Sequence, residues 1–468
     1  MTLKIYNSLT KKVSIFKPLH KQTVQMFVCG PTVYDYVHAG NARTFVIFDV
    51  VAKYLCYRQF DVTYIQNITD IDDKIIVRAQ EHNTEPIAWA RQYEEYFHED
   101  MQNLGVTAVS RYARATEHIE QVVTQVQRLV EKGFAYRLDD GYYFDLAKFP
   151  AYGKLSGRTA QMAEDAVTRI DESDKKRNAG DFALWKFSKP GEPAWDSSLG
   201  KGRPGWHIED TAITEYYFGS QYDLHGGGRD LMFPHHEAEI AQQEAASGKV
   251  PFVKYWMHSG FLETKSAKMS KSVGNIVSAR ELLHRYSPQV LRLYFLNAHY
   301  RSPLDFSDEI LAQAQAGAAR ITEFLERLKF YETDTPFAHE EDSAVTAAID
   351  ALHQKALDTM DDDFNTPQAI GVLFELIHLV NQYIDQKKID IHSVKRILRS
   401  LDLFDAVLGI VPHHHEIIPE KVRGLVAERQ EAKEKNDFAR ADFIRTQIQS
   451  LGYTIDDTLQ GPMIKKML

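Results

Sequence analysis

The chain has 468 residues, of which 44% are hydrophobic and 26% charged, with a formal net charge of −10. That length exceeds one ordinary core, and the acidic balance excludes nucleic-acid binding over the whole surface. No apolar run reaches the roughly 18–20 residues that span a bilayer. The opening MTLKIYNSLTKK has no apolar export core, and two cysteines cannot build a disulfide framework, so the expectation is a cytoplasmic protein with no membrane association.

VQMFVCG (24–30) reads as a short buried strand ended by Gly30-Pro31. After a polar loop, NARTFVIFDVVAKYLCY (41–57) carries a broad helical apolar stripe, with Cys56 expected as a packed small hydrophobe. Strand, glycine-bearing loop and helix open an α/β nucleotide-binding unit. DVTYIQNI (61–68) is a second strand, followed by the acidic TDIDDK. TEHIEQVVTQVQRLVE (116–131) is an amphipathic helix with Thr116 as its candidate cap, and AYRLDDGYYFDL (135–146) a hairpin. A polar stretch to about 200 reads as an inserted module without a core of its own. Strand-like sequence resumes at WHIEDTAI and YDLHGGGRDL, and HHEAEIAQQEAAS is a helix. From about 315 to 406 the pattern is almost wholly helical. In the tail, Ala441, Ile444, Ile448 and Leu451 form one stripe, with Asp437 as cap and Gly452 at the helix end. Residues 421–468 carry a net +2, so the tail is the basic exception in an acidic chain.

Four stretches carry chemistry. In FPHHEAEIAQ (233–242), His235 and Glu239 share a helical face, a spacing that can hold a metal ion but supplies only two ligands. In CGPTVYDYVHAGN (29–41), His38 and Asn41 sit at a helix start, where backbone N–H groups favour a phosphate; taken alone, His38 is as well explained as a helix cap. KSAKMSKSVGN (265–275) is too polar for core. It is either a solvated loop or a cationic one that meets phosphates as charge develops in a transfer reaction, through Lys268 and Lys271. In HGGGRD (225–230), Gly226 and Gly227 permit close approach to a ligand, and Asp230 could accept from a ribose hydroxyl.

Taken in order, HAGN and KMSKS resemble the two hallmark motifs of class I aminoacyl-tRNA synthetases. CGPTVYDYVHAGNART, NITDIDDKI, GWHIE, LHGGGRDLMFPHHEAEIAQ, YWMHSG and KMSKSVGN resemble the cysteinyl-tRNA synthetase family, from about residue 3 to the C-terminus. The resemblance implies an α/β fold: a Rossmann-type parallel-sheet catalytic domain (1–115 and 201–260) split by a connective insertion (116–200). A KMSKS-bearing segment (261–315), an all-α helical bundle (316–408) and a small C-terminal anticodon-binding module (409–468) follow.

It also implies one Zn2+ per chain on Cys29, Asp210, His235 and Glu239, Asp210 standing where the family normally has cysteine. ATP with Mg2+ would be bound by His38, Asn41, Gly226, Gly227, Asp230 and Lys271, with His38, Asn41, Lys268 and Lys271 acting on the phosphates. Trp206 either closes over the substrate or is a core tryptophan. The implied partners are L-cysteine, ATP and the cysteine tRNA with its GCA anticodon, and the implied state is a monomer. Zinc binds a substrate thiol as thiolate, which a serine hydroxyl cannot match, so no editing domain is needed. Two other readings use the same residues: a tRNA-independent cysteine ligase of the mycothiol type, and a non-catalytic zinc-stabilised RNA-binding paralogue. Phe438 either packs or stacks on an anticodon base.

Overall fold

The structure is a computed structural model that describes residues 2–158, 175–264, 267–268, 277–333, 342–412, 420–435, 437–458 and 461–466. Its centre is a five-stranded sheet in the order Val253–Ser259, Tyr222–Gly228, Thr23–Val28, Asp61–Ile68, Arg111–Arg114, with every pairing parallel. Parallel strands need covered faces; the strands are largely buried, although DVTYIQNI and YDLHGGG bring polar residues and glycines into the interior beside apolar TVQMFV. The chain starts in the middle strand, builds outward to Arg111–Arg114, and later returns to the other side. Strand order therefore reverses between Thr23–Val28 and Tyr222–Gly228, and a ligand crevice forms outside the carboxyl ends of strands at such a reversal.

The helix Ala39–Tyr57 lies over that point. It is buried nearly all round, and Phe48 packs against the sheet where Gly226 stands. A Cβ at Gly226 would come within 2.4–2.8 Å of the Phe48 ring, so glycine is needed there for close helix–sheet packing.

The insertion folds as a four-stranded antiparallel sheet over residues 135–204, with the helix Ile119–Glu131 beside it. Its apolar core is shared: Val122, Val126, Leu129, Phe144, Phe182 and Leu184 pack with Ala212, Ala238, Ala241 and Ala245 of the catalytic helices.

Several expectations need correction. WHIEDTAI is not a strand; Ile208–Phe218 is a helix with Glu209 and Asp210 in its first turn, where the dipole favours acidic side chains. Its residues 208–214 are buried all round, which erases the periodicity that would have betrayed it. Thr116 does not cap a helix. It sits in a 3-10 turn, and its N–H and hydroxyl both donate to Asp70. Cys56 is exposed at its helix end, and Leu451 is also exposed, because the helix ends at Ser450 and Leu451 is its C-cap, while Ala441, Ile444 and Ile448 form the buried stripe.

The helices Asp308–Thr333, Ser343–Asp361, Thr366–Asp385 and Ile391–Leu403 continue the main core. The tail has a separate small core of Val422, Val426, Ile444, Ile448 and Ile455, and adds a hairpin, Tyr453–Thr458 with Gly461–Lys466, that the sequence reading did not separate out.

One buried ion pair joins these parts. Arg292, in the helix Pro288–Leu296, donates to Asp49 of Ala39–Tyr57 at 2.8 Å, to the Leu104 and Gly105 carbonyls at 3.0 and 3.1 Å, and to the Leu408 carbonyl at 2.6 Å. Both charges are essentially inaccessible to water. Asp49 also accepts from Lys53 at 2.8 Å, so Arg292→Ala leaves it one cation but takes the donor from the Leu104 and Leu408 carbonyls, and should cost about 1–3 kcal/mol of stability. Chemical denaturation followed by circular dichroism would measure it, and a loss no larger than that of an exposed substitution would show that water repairs the site.

Candidate active site

Cys29 leaves the carboxyl end of the first strand of the sheet; Asp210 lies on the helix Ile208–Phe218; His235 precedes the helix Glu237–Ser247, and Glu239 belongs to it. Although far apart in sequence, their donor atoms lie within 4.8 Å of one another, and all four residues are buried. His235 Nε2 stands 3.0 Å from Asp210 Oδ2 and 3.0 Å from Glu239 Oε1. His235 Nδ1 meets His207 Nδ1 at 2.8 Å, and Trp206 stacks on the His235 ring at 4.3 Å.

Beneath lies a histidine layer that sequence reasoning missed. His225 and His236 place Nε2 3.3 and 3.2 Å from Cys29 Sγ. Their Nδ1 atoms meet the Tyr222 hydroxyl at 2.6 Å and His258 Nε2 at 2.8 Å. With Cys29 and Glu239 they form a second group of four possible ligands. Helical spacing reads one element at a time, whereas the contact of His236 with Cys29 runs from a distorted turn to a strand end. Glu237 accepts backbone N–H groups of Gly153, Leu155 and Ser156 and so docks the insertion.

Burial pushes the Cys29 thiol up, and the neighbouring Glu239 and Asp210 carboxylates add to the shift. Burial followed by the Asp210 charge raises Glu239. His225 and His236 are driven down by burial and by neighbouring imidazoles. Among the described residues, the ion-pair partners of Asp210 and Glu239 are imidazoles, never a lysine or arginine. Asp210 Oδ1 and Glu239 Oε2 are buried without a hydrogen bond. Sulfur, nitrogen and two carboxylates with orphaned oxygens fit a divalent cation.

Above this floor opens a cavity of about 230 Å³, lined by Cys29, Asp210, His235 and Trp206 on one side and by His38 and Asn41 on the other. His38 is the N-cap of Ala39–Tyr57, its Nδ1 accepting from the Asn41 N–H at 3.2 Å, so it caps the helix and also faces the cavity. Gly228 and Asp230 line the wall, while the missing Cβ positions of Gly226 and Gly227 face Phe48 and His236. Lys268 is described only in the two-residue strand Ala267–Lys268, and Lys271 lies outside the described residues. The segment leaving that stretch is stitched to the His38 turn: Ala39 N–H donates to Val277 and Ala279 N–H to Val37.

Residues 15–316 match the family profile "tRNA synthetases class I (C) catalytic domain", and residues 357–412 match the DALR domain. Two proteins named Cysteine--tRNA ligase, from Caldicellulosiruptor saccharolyticus and Clostridioides difficile, are 42% and 43% identical, each over 99% of this chain and their full length. The chain belongs to the cysteinyl-tRNA synthetases of class I. Solved structures agree on the fold: a Mycobacterium tuberculosis methionyl-tRNA synthetase bound by methionyl-adenylate has a TM-score of 0.59 at 16% identity, covering 83% of this chain and 92% of that one. LeuRS in a ternary complex with tRNA from Agrobacterium radiobacter has a TM-score of 0.63 at 9% identity, covering 83% and 84%.

Within this synthetase floor His258 is held at about 3, by burial first and then by Arg229, against about 6.5 in an unfolded chain. The native state stays neutral while the unfolded chain takes up a proton as pH falls below about 6.5. The stability is complete above that value and erodes toward about pH 3, by up to roughly 1.4 kcal/mol per pH unit. His258→Gln can still meet Ser8 and His236, yet it should flatten the fall between pH 6 and 4 by close to one proton. Parallel denaturation curves for the two proteins would refute this.

Proposed function

We propose that this chain activates L-cysteine with ATP to cysteinyl adenylate, releasing pyrophosphate, and transfers the cysteinyl group to the 3′-terminal adenosine of the cysteine tRNA. The observation that carries the reading is the single cavity at the sheet's reversal point, with a sulfur-, nitrogen- and oxygen-bearing floor at one side and the His38–Asn41 helix start at the other. The identity over full length to enzymes named Cysteine--tRNA ligase supports the substrate.

Cys29, Asp210, His235 and Glu239 would hold Zn2+, which when bound takes a substrate thiol as thiolate and rejects a serine hydroxyl. Trp206, half-buried and stacked on His235, closes the cavity side over the amino acid. His38 and Asn41 sit at the positive end of a 19-residue helix and stabilise the charge that develops at the α-phosphate. His38 is oriented for this by the N–H it accepts from Asn41, which leaves Nε2 as the atom that meets the phosphate. Lys268 and Lys271 neutralise the departing pyrophosphate, while Gly228 and Asp230 offer the nucleoside wall, with Gly226 and Gly227 behind it.

The domains follow the same reading: catalytic halves 1–115 and 201–260 around the insertion 116–200, the KMSKS segment 261–315, helices 316–408, and a tRNA-reading tail 409–468. Phe438 and Phe443 in that tail are 60% and 55% exposed and flank Arg440, a pattern suited to stacking on unpaired bases beside phosphates. No described helix is long and apolar enough to cross a membrane; the proposed setting is the cytoplasm, and the proposed state a monomer.

Cysteine-dependent ATP–pyrophosphate exchange together with charging of the cysteine tRNA tests the reading. Exchange without charging would point to the tRNA-independent ligase, and neither activity to a binding paralogue. Truncation before residue 412 removes a segment with its own small core, so exchange should persist while charging collapses. Equal loss of both would make the tail structural. Lys271→Ala should lower kcat for activation far more than it raises KM for ATP, because its charge acts as pyrophosphate leaves. A pure KM effect would reassign the lysine to ground-state binding.

A further inference from the structure

Two overlapping ligand groups share Cys29 and Glu239: one is completed by Asp210 and His235, the other by His225 and His236. Two observations separate them. Asp210 brings to its group a carboxylate oxygen, Oδ1, that is buried without a hydrogen bond, whereas Glu239 is common to both groups and its Oε2 faces His225 Nδ1 at 3.5 Å. Cys29, Asp210 and His235 line the cavity, whereas His225 and His236 do not. The group containing Asp210 is therefore the one with an unpaired carboxylate oxygen of its own and with access for an ion.

We infer that Asp210 is a direct ligand of the cation and decides which cations the site accepts: with one sulfur against one nitrogen and two oxygens, it binds harder divalent ions, Co(II) and Mn(II), alongside zinc. Carboxylate oxygen favours Mn(II) and Co(II) relative to a thiolate, and a thiolate favours zinc. Binding removes the Cys29 proton, because the thiolate is the ligand. Since Cys29 is the sole protein sulfur, a thiol entering the cavity contributes the second, so free cysteine and the ion strengthen each other's binding reciprocally. The inference rests on the metal part of the proposed function and is independent of tRNA.

The experiment uses the full chain, stripped and reloaded with Zn(II), Co(II) or Mn(II), and measures affinity by chelator competition for the parent, Asp210→Cys, Asp210→Asn and His225→Gln. Asp210→Asn should lose more than about tenfold in affinity for all three ions, while His225→Gln changes it less. Asp210→Cys should tighten zinc and weaken Mn(II), and the sulfur-to-cobalt charge-transfer absorption of its Co(II) form should be markedly stronger than that of the parent, which has one thiolate instead of two. Free cysteine, but not serine, should slow ion release from the parent. Unchanged absorption in the Asp210→Cys Co(II) form, with circular dichroism showing a folded chain, would place Asp210 outside the coordination shell and overturn the inference. Loss of metal in His225→Gln but not in Asp210→Asn would overturn it in favour of the other group. Failure of the parent to take up any of these ions would defeat the metal assignment of the proposed function as well.

Discussion

A thiol and two carboxylates share one water-poor volume with imidazoles as their polar neighbours, His235 between the carboxylates and His225 and His236 against the thiol, and much of the surrounding structure is arranged to make that arrangement bearable. Burial disfavours every charged form there, so Cys29 and Glu239 are both pushed toward their protonated states when no cation balances them. A folded chain reaches such a state only where its surroundings hold the groups in place. The surroundings here are the carboxyl end of a central parallel strand and the starts of two helices.

The polar residues around the floor are paired in ways that fix those helices. Gln125 of the insertion bonds Thr211, Glu215 and Gln243, which ties the insertion at once to the helices that carry Asp210 and Glu239. Gln242 donates to Thr211 and to the His207 carbonyl, and Glu209 accepts from Thr69 at the end of the second strand. Buried networks of this kind couple their members, so the geometry is held more strongly than separate bonds suggest. The insertion thus serves as a clamp: with a core shared rather than its own, it contributes rigidity to the pocket floor.

Sequence carried the fold's long elements and the motif-bearing residues well, for physical reasons. Ala39–Tyr57 and the strand Thr23–Val28 announce themselves by apolar content, and Cys29, Asp210, His235 and Glu239 stand in strings that resemble a family. What stayed illegible was whatever depends on two elements meeting. Ile208–Phe218 is buried on all sides of its first two turns, so the pattern that separates helix from strand vanishes. His225 and His236 look unremarkable one at a time, because only the packing of a strand against a distorted turn brings them to Cys29. Thr116 is a plausible cap by residue type, but the buried Asp70 carboxylate competes for its donors and wins.

The helix Ala39–Tyr57 joins the chemistry to the remainder of the chain. Its first turn presents His38 and Asn41 to the cavity, its middle sets Phe48 into the space left by Gly226, and the next residue, Asp49, takes the buried guanidinium of Arg292. That guanidinium also holds the Leu408 carbonyl, where the helical region ends, and the carbonyls of Leu104 and Gly105. A displacement of the helical region must then either break a charge-assisted bond in a dry environment or move the helix that carries His38. The first is costly, since a buried group left without its partner has no water to turn to. The His38–Asn41 end of the cavity is therefore mechanically tied to the helices beyond the sheet, while the floor of Cys29, Asp210 and His235 is tied to the insertion. The two ends of the cavity are supported by different parts of the chain.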